Sequence, residues 1–301
     1  MARNITASVR QKLLNKSREE KRPFQELLQY YAMERFLYRL SQSPHNTCFT
    51  LKGALMLWAM QGPTSRPTRD IDMLGQTSNE PGAILGQVRD VVATEVVDDG
   101  LRFDSSTLKA EAITEDADYQ GVRVTFTGLL ENAKIPMQLD IGFGDPIFPF
   151  PSWHEFPALL DFPTARIQCY TPESSIAEKF QAMVKLGELN SRMKDFYDIW
   201  LLSRQHDFAL ANLSGAVVRT FERRNTKVPE SSPFSDAFVD SKQSQWQAFR
   251  KRLGQPHVPE AFAQVVAAVT EFLAPVMANH AAGAPEQIWH PPGPWSRQAD
   301  G

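Results

Sequence analysis

Apolar residues recur at helical spacing over residues 24–40, where Phe24, Leu27, Leu28, Tyr31, Met33, Phe36, Leu37 and Leu40 occur without an intervening Pro or Gly. The charged stretch before them predicts another helix over the first twenty or so residues. Between 48 and 75 the period changes. Residues 48–51 read as a short apolar strand and Lys52-Gly53 as a turn. A run of helix formers over 54–60 follows, cut by Gly62-Pro63, and a strand is expected from 66 to 75. After a helix over 83–94, residues 122–127 and 135–141 alternate strictly, as half-buried strands do. In the second, Ile135, Met137, Leu139 and Ile141 share one face, leaving Gln138 and Asp140 on the other.

A Pro- and aromatic-rich connector over 146–163 separates this part from a helical part. There Thr171-Pro172-Glu173-Ser174 supplies an N-cap, a first-position Pro and a first-turn acid. Further helices are expected over 190–205, 210–225, 241–253 and 259–279, and the Pro-rich stretch from 281 reads as disordered. The fold class is therefore α+β with an α/β-type core. The expected domains are 1–163, built on a mixed sheet, and a helical domain over 164–280, followed by a tail over 281–301.

At 301 residues with 42% hydrophobic content, the chain can bury one large core or two modest ones. A net charge of −3 excludes a protein that coats nucleic acid indiscriminately, so any nucleic-acid substrate needs local basic patches. Two are visible: Arg3, Arg10, Lys12, Lys16, Arg18, Lys21 and Arg22 at the start, and Arg219, Arg223, Arg224 and Lys227 later. Cys48 and Cys169 are too few for a disulfide framework or a zinc site and read as buried thiols. With no apolar run of membrane length and no signal-peptide core, a cytoplasmic protein without a membrane partner is expected.

The chemistry centres on Asp70-Ile71-Asp72. In a strand, residues two apart share a face, and paired carboxylates there need a cation between them, for which Mg²⁺ is the hard ion that suits phosphate chemistry. Lys52-Gly53, between a strand and a helix, offers backbone N–H groups to a phosphate. Arg69 has the parity of Ile71 and so points away from the acids, which favours Arg66 as the phosphate contact. Asp140 adds a third strand acid, and three carboxylates on adjacent strands can hold the ions of a two-metal displacement. In the helical part, Lys179 lies at the edge of an apolar stripe and either pairs with an anion or snorkels to solvent. Asp195 and Asp198 lie among apolar neighbours and need partners, with Lys179, Arg192 and Lys194 available.

These blocks resemble the AbiEii/AbiGii toxin family, which includes the MenT toxins, in the polymerase-β-like nucleotidyltransferase superfamily. The resemblance is carried by Phe49-Thr50-Leu51-Lys52-Gly53-Ala54-Leu55, by Arg66-Pro67-Thr68-Arg69-Asp70-Ile71-Asp72 and by Gln138-Leu139-Asp140-Ile141-Gly142. Ala177-Glu178-Lys179-Phe180 and Arg192-Met193-Lys194-Asp195-Phe196-Tyr197-Asp198 complete it. It implies a nucleotidyltransferase domain followed by a helical domain, with the NTP in the cleft between them. Asp70, Asp72 and Asp140 would be the metal ligands, for Mg²⁺ or Mn²⁺. Lys52, Gly53, Ala54, Arg66, Lys179 and Asp198 would contact the nucleotide, and Lys179 and Asp195 would be essential alongside the three acids. The implied activity is transfer of NMP from an NTP to the 3′ end of tRNA, blocking translation, with a cognate antitoxin in opposition. One departure is Ala54, where the superfamily has Gly or Ser. A two-metal nuclease or phosphatase, or a non-catalytic NTP-binding regulator, are the alternatives.

Overall fold

The computed structural model describes residues 5–61, 67–115, 119–279 and 286–297, and they form two compact units. The first comprises residues 1–144 and 152–170. It begins with α1 (Ile5–Glu20), α2 (Phe24–Gln42), β1 (Phe49–Leu51), α3 (Gly53–Gln61), β2 (Ile71–Gly75) and α4 (Pro81–Ala93). The strands β3 (Arg102–Glu115), β4 (Tyr119–Leu130), β5 (Ala133–Phe143), β6 (Ser152–Phe156) and β7 (Ala165–Cys169) follow. They form one mixed sheet in the order β3-β4-β5-β2-β1-β7-β6. β2 runs parallel to β5 and antiparallel to β1, which places the acid-bearing strands side by side at the centre.

α2 is the helix that the apolar spacing predicts, and it packs on β5 and β7. Each fully buried Leu or Phe of its stripe contributes about 1.5–3 kcal/mol. Its polar residues are buried too. Arg39 donates to both oxygens of Asp99 at 2.8 and 3.1 Å and to the Leu101 carbonyl, while Tyr31 donates to the Asp99 carbonyl at 2.7 Å. Glu34 lies 2.6 Å from Arg35 and accepts from the Leu159 amide, and burial pushes its carboxyl up to about 7. Gln29 donates to the carbonyls of Arg69 and Pro136, so α2 ties the entry to β2 to the start of β5.

The structure corrects several expectations. The acid-bearing strand starts at Ile71 rather than 66, so Asp70 stands just before it. The connector over 146–163 contains β6, an edge strand held by β7. The first compact unit runs on to residue 170, because β7 pairs with both β1 and β6 in its sheet. Residues 145–151 belong with the second unit. Cys48 is half-buried rather than buried; Cys169 is buried, which pushes its thiol up to about 12 and makes it inert.

The second unit contains α5 (Pro172–Leu186), α6 (Met193–Gln205), β8 (Phe208–Ala209), α7 (Leu210–Arg223), α8 (Asp236–Leu253) and α9 (Phe262–Asn279). Thr171 caps α5, its hydroxyl accepting from the Ser174 amide at 3.1 Å. Phe196, Phe238, Trp246 and Phe262 pack together between α6, α8 and α9. The expected tail is in part ordered: β9 (Gln287–Trp289) and β10 (Trp295–Arg297) join β8 in a small sheet. Trp289 anchors it, donating to the Ser203 carbonyl at 2.6 Å, and Trp295 stacks on Phe272. Residues 281–285 and 298–301 of that expected tail lie outside the described residues.

Replacing Asp99 leaves Arg39 buried without its carboxylate. Asp99→Ala is expected to cost about 3–5 kcal/mol of stability in urea titration. A loss below about 1 kcal/mol would mean that this pair matters no more than a surface ion pair.

Candidate active site

Parallel pairing of β2 with β5 sets Asp72 directly beside Asp140. Asp70 joins them from the residue before β2, and one carboxylate oxygen from each of the three lies within 4.8 Å of the others. The alternation in β5 does what its sequence implies: Ile135, Met137, Leu139 and Ile141 are buried below the sheet, and Asp140 is on the opposite face. Among the described residues this is the one group of three or more His, Cys, Asp or Glu side chains placed to share an ion. Its donors are all hard oxygens, which fit Mg²⁺ or Mn²⁺ and lack the nitrogen and sulfur ligands typical of zinc. Thr68 donates its hydroxyl to Asp70, and its own amide donates to the Tyr30 hydroxyl at 3.2 Å, so α2 also steadies the segment before the strand.

The turn beside the acids is built around Gly53. The Lys52 amide donates to the Asp72 carbonyl at 2.8 Å, and α3 starts at Gly53. Gly53 has φ of 65°, and a Cβ there would overlap the Asp72 carboxylate. Only glycine combines that backbone conformation with that approach. The positive φ falls on Gly53 and not on Ala54, so an alanine at position 54 does not strain the backbone. The Lys52 ammonium lies 4.7 Å from the centre of the Tyr170 ring. Arg66 lies outside the described residues.

In the second unit, Lys179 pairs with Asp198 at 3.2 Å, and the Asp198 side chain is fully buried. This is one of the partners that the sequence offered it. Asp195 is fully buried 2.6 Å from Arg192 Nε, but in an orientation that makes no hydrogen bond, and neither of its oxygens accepts one. Such a carboxylate is costly to hold as an anion without further donors. The second basic patch is smaller than its sequence suggests. The Arg224 side chain is largely covered, donating to both oxygens of Asp145 and to Gln181, and the Arg219 guanidinium lies 4.0 Å above the Phe148 ring. In the N-terminal patch, Lys16 and Arg22 pair with Glu20 and Glu26.

Sequence reasoning missed Arg123. It faces Asp140 across the β4–β5 ladder and clamps it, Nε donating at 2.7 Å and Nη2 at 2.8 Å, while Gln138 donates to the same carboxylate at 3.0 Å. The bond to Asp140 raises the guanidinium pKa further above its ordinary value. Alternation in residues 122–127 puts Arg123 on the polar face, but only strand register reveals its partner. Glu111 on β3 faces Arg123 from the other side. The row Glu111, Arg123, Asp140, Asp72 thus crosses four strands on one face.

Gly53→Ala is expected to cost about 1–2 kcal/mol from the left-handed backbone alone, and to displace Asp72, which a Mn²⁺ titration would read as weaker binding. Gly82→Ala, where a Cβ meets nothing within 4 Å, is the control and should leave both unchanged. Equal behaviour of the two variants would refute the fitted contact.

No curated protein matches the chain. Two solved structures from H. pylori are similar to it. One, assigned as a nucleotidyltransferase, has a TM-score of 0.49 at 15% identity over 83% of this chain and 95% of that one. The other, JHP933, has a TM-score of 0.50 at 16% identity over 83% of this chain and 92% of that one, a likeness of fold. A family model described as nucleotidyl transferase AbiEii toxin, type IV toxin–antitoxin system, matches residues 35–268. The chain belongs to this family of nucleotidyltransferase toxins.

Proposed function

We propose that the protein transfers a nucleoside monophosphate from an NTP to the 3′-terminal hydroxyl of tRNA, in a reaction that requires Mg²⁺ or Mn²⁺. The observation that carries this reading is the meeting of Asp70, Asp72 and Asp140 within 4.8 Å of one another, beside the positive-φ turn at Gly53. Asp70 and Asp72 hold the ion, and Asp140 completes the set. A bound divalent ion there neutralises charge on the phosphates and on the attacking oxygen. Backbone N–H groups of Gly53 and Ala54, at the start of α3, hold phosphate oxygens, with Lys52, Arg66 and Asp198 as further nucleotide contacts. Lys179 is assigned to the triphosphate, and Asp195 is assigned an essential role. The acceptor hydroxyl attacks the α-phosphorus, its proton passes to Asp140, and pyrophosphate leaves with the α–β bond electrons. tRNA modified at its 3′ end cannot be aminoacylated, so translation stops in the cytoplasm, and the family context implies a cognate antitoxin that counteracts this.

Incubation of the protein with total RNA and each α-³²P-NTP tests the proposal. Labelled tRNA longer than its substrate is expected, and EDTA or the double variant Asp70→Asn, Asp72→Asn should abolish it, a loss of about 10³-fold or more. A shorter RNA product would indicate cleavage instead. Label transfer that survives the double variant would rule out this site.

A further inference from the structure

The reaction needs Asp140 as a metal ligand and a proton acceptor, yet in this structure both its oxygens are occupied. Arg123 grips one with Nε and the other with Nη2, and Gln138 donates to the second as well. A carboxylate offers about four acceptor positions, so three donors leave little for an ion. The Arg123 side chain is about one-third exposed whereas that of Asp140 is buried, so the arginine can swing outward while the acid stays. Glu111, exposed and directly across the β3–β4 pair, offers the guanidinium a second resting place. A single fork between two acids, one inside the site and one at its rim, has two arrangements available to it.

We propose that Arg123 is a built-in counter-cation that competes with the divalent ion for Asp140. In the free protein it balances one of three crowded negative charges, so that a metal ion is held by Asp70 and Asp72 alone. Arrival of a triphosphate, with its own charge and its own metal, draws the guanidinium off Asp140 and opens that carboxylate. The triphosphate or Glu111 then takes the arginine. This rests on the metal-site reading above. It differs from the ordinary role of a residue that supports a metal ligand, and the two roles have opposite signs. Loss of a supporting partner weakens metal affinity by about 10–100-fold, whereas loss of a competitor strengthens it.

Mn²⁺ binding followed by electron paramagnetic resonance, without nucleotide, separates them. Wild-type protein is expected to bind one Mn²⁺. Arg123→Gln should bind on the order of tenfold tighter, the lower end of the range by which such partners shift affinity, and should take up a second ion. Arg123→Lys, which keeps the charge but loses the fork, should fall between the two. Thermal unfolding confirms that each variant is folded, and a variant that fails to fold is replaced by Arg123→Met. Unchanged or weaker Mn²⁺ binding in folded Arg123→Gln would overturn the proposal and leave the metal site standing. Wild-type protein that binds no Mn²⁺, with Asp70→Asn indistinguishable from it, would overturn both.

Discussion

Asp72 and Asp140 stand opposite each other on neighbouring parallel strands, and two carboxylates so placed repel by about 4 kcal/mol at 4 Å in a partly screened setting. A sheet centre tolerates this only if positive charge is supplied. Much of the first unit can be understood as that supply. Arg123 grips Asp140, Thr68 donates to Asp70, and α3 begins at the glycine against which the Asp72 carboxylate rests. Gln29 fixes the two strand entries, so the acids cannot relax apart. The repulsion that makes the arrangement costly is also what makes it receptive to a divalent ion and the triphosphate that accompanies it.

The second unit meets the same problem by different means. Lys179 and Asp198 neutralise each other across α5 and α6, and Arg224 pairs with Asp145. Asp195 is the exception, a fully buried carboxylate with one cation nearby and no hydrogen-bond donor. Buried charge of this kind weakens a fold.

The acids were legible in the sequence because strand alternation is a local property. Asp72 and Asp140 follow from a period of two and from the apolar parity of Ile135 to Ile141, whereas Asp70 joins them from the residue before the strand. α2 was legible from its stripe, and α5 from the Thr171 cap. What was hidden depends on register and distance. The Arg123–Asp140 clamp needs the β4–β5 pairing, and the pairing of Arg224 needs Asp145, far earlier in the chain. β3 is polar and interrupted between Asp104 and Lys109, where its register with β4 shifts, so it shows no clean period. β6 is a five-residue edge strand inside Pro-rich surroundings, which obscure it. The two short C-terminal strands owe their order to Trp289 and Trp295, whose indole N–H groups reach backbone carbonyls of other elements.

Anomalous diffraction from crystals grown with Mn²⁺ and a non-hydrolysable NTP would locate both the ion and the triphosphate. An ion bound by Asp70 and Asp72 is expected, with the triphosphate at the Gly53 turn. An ion that bypasses both aspartates, or a nucleotide seated away from that turn, would contradict it.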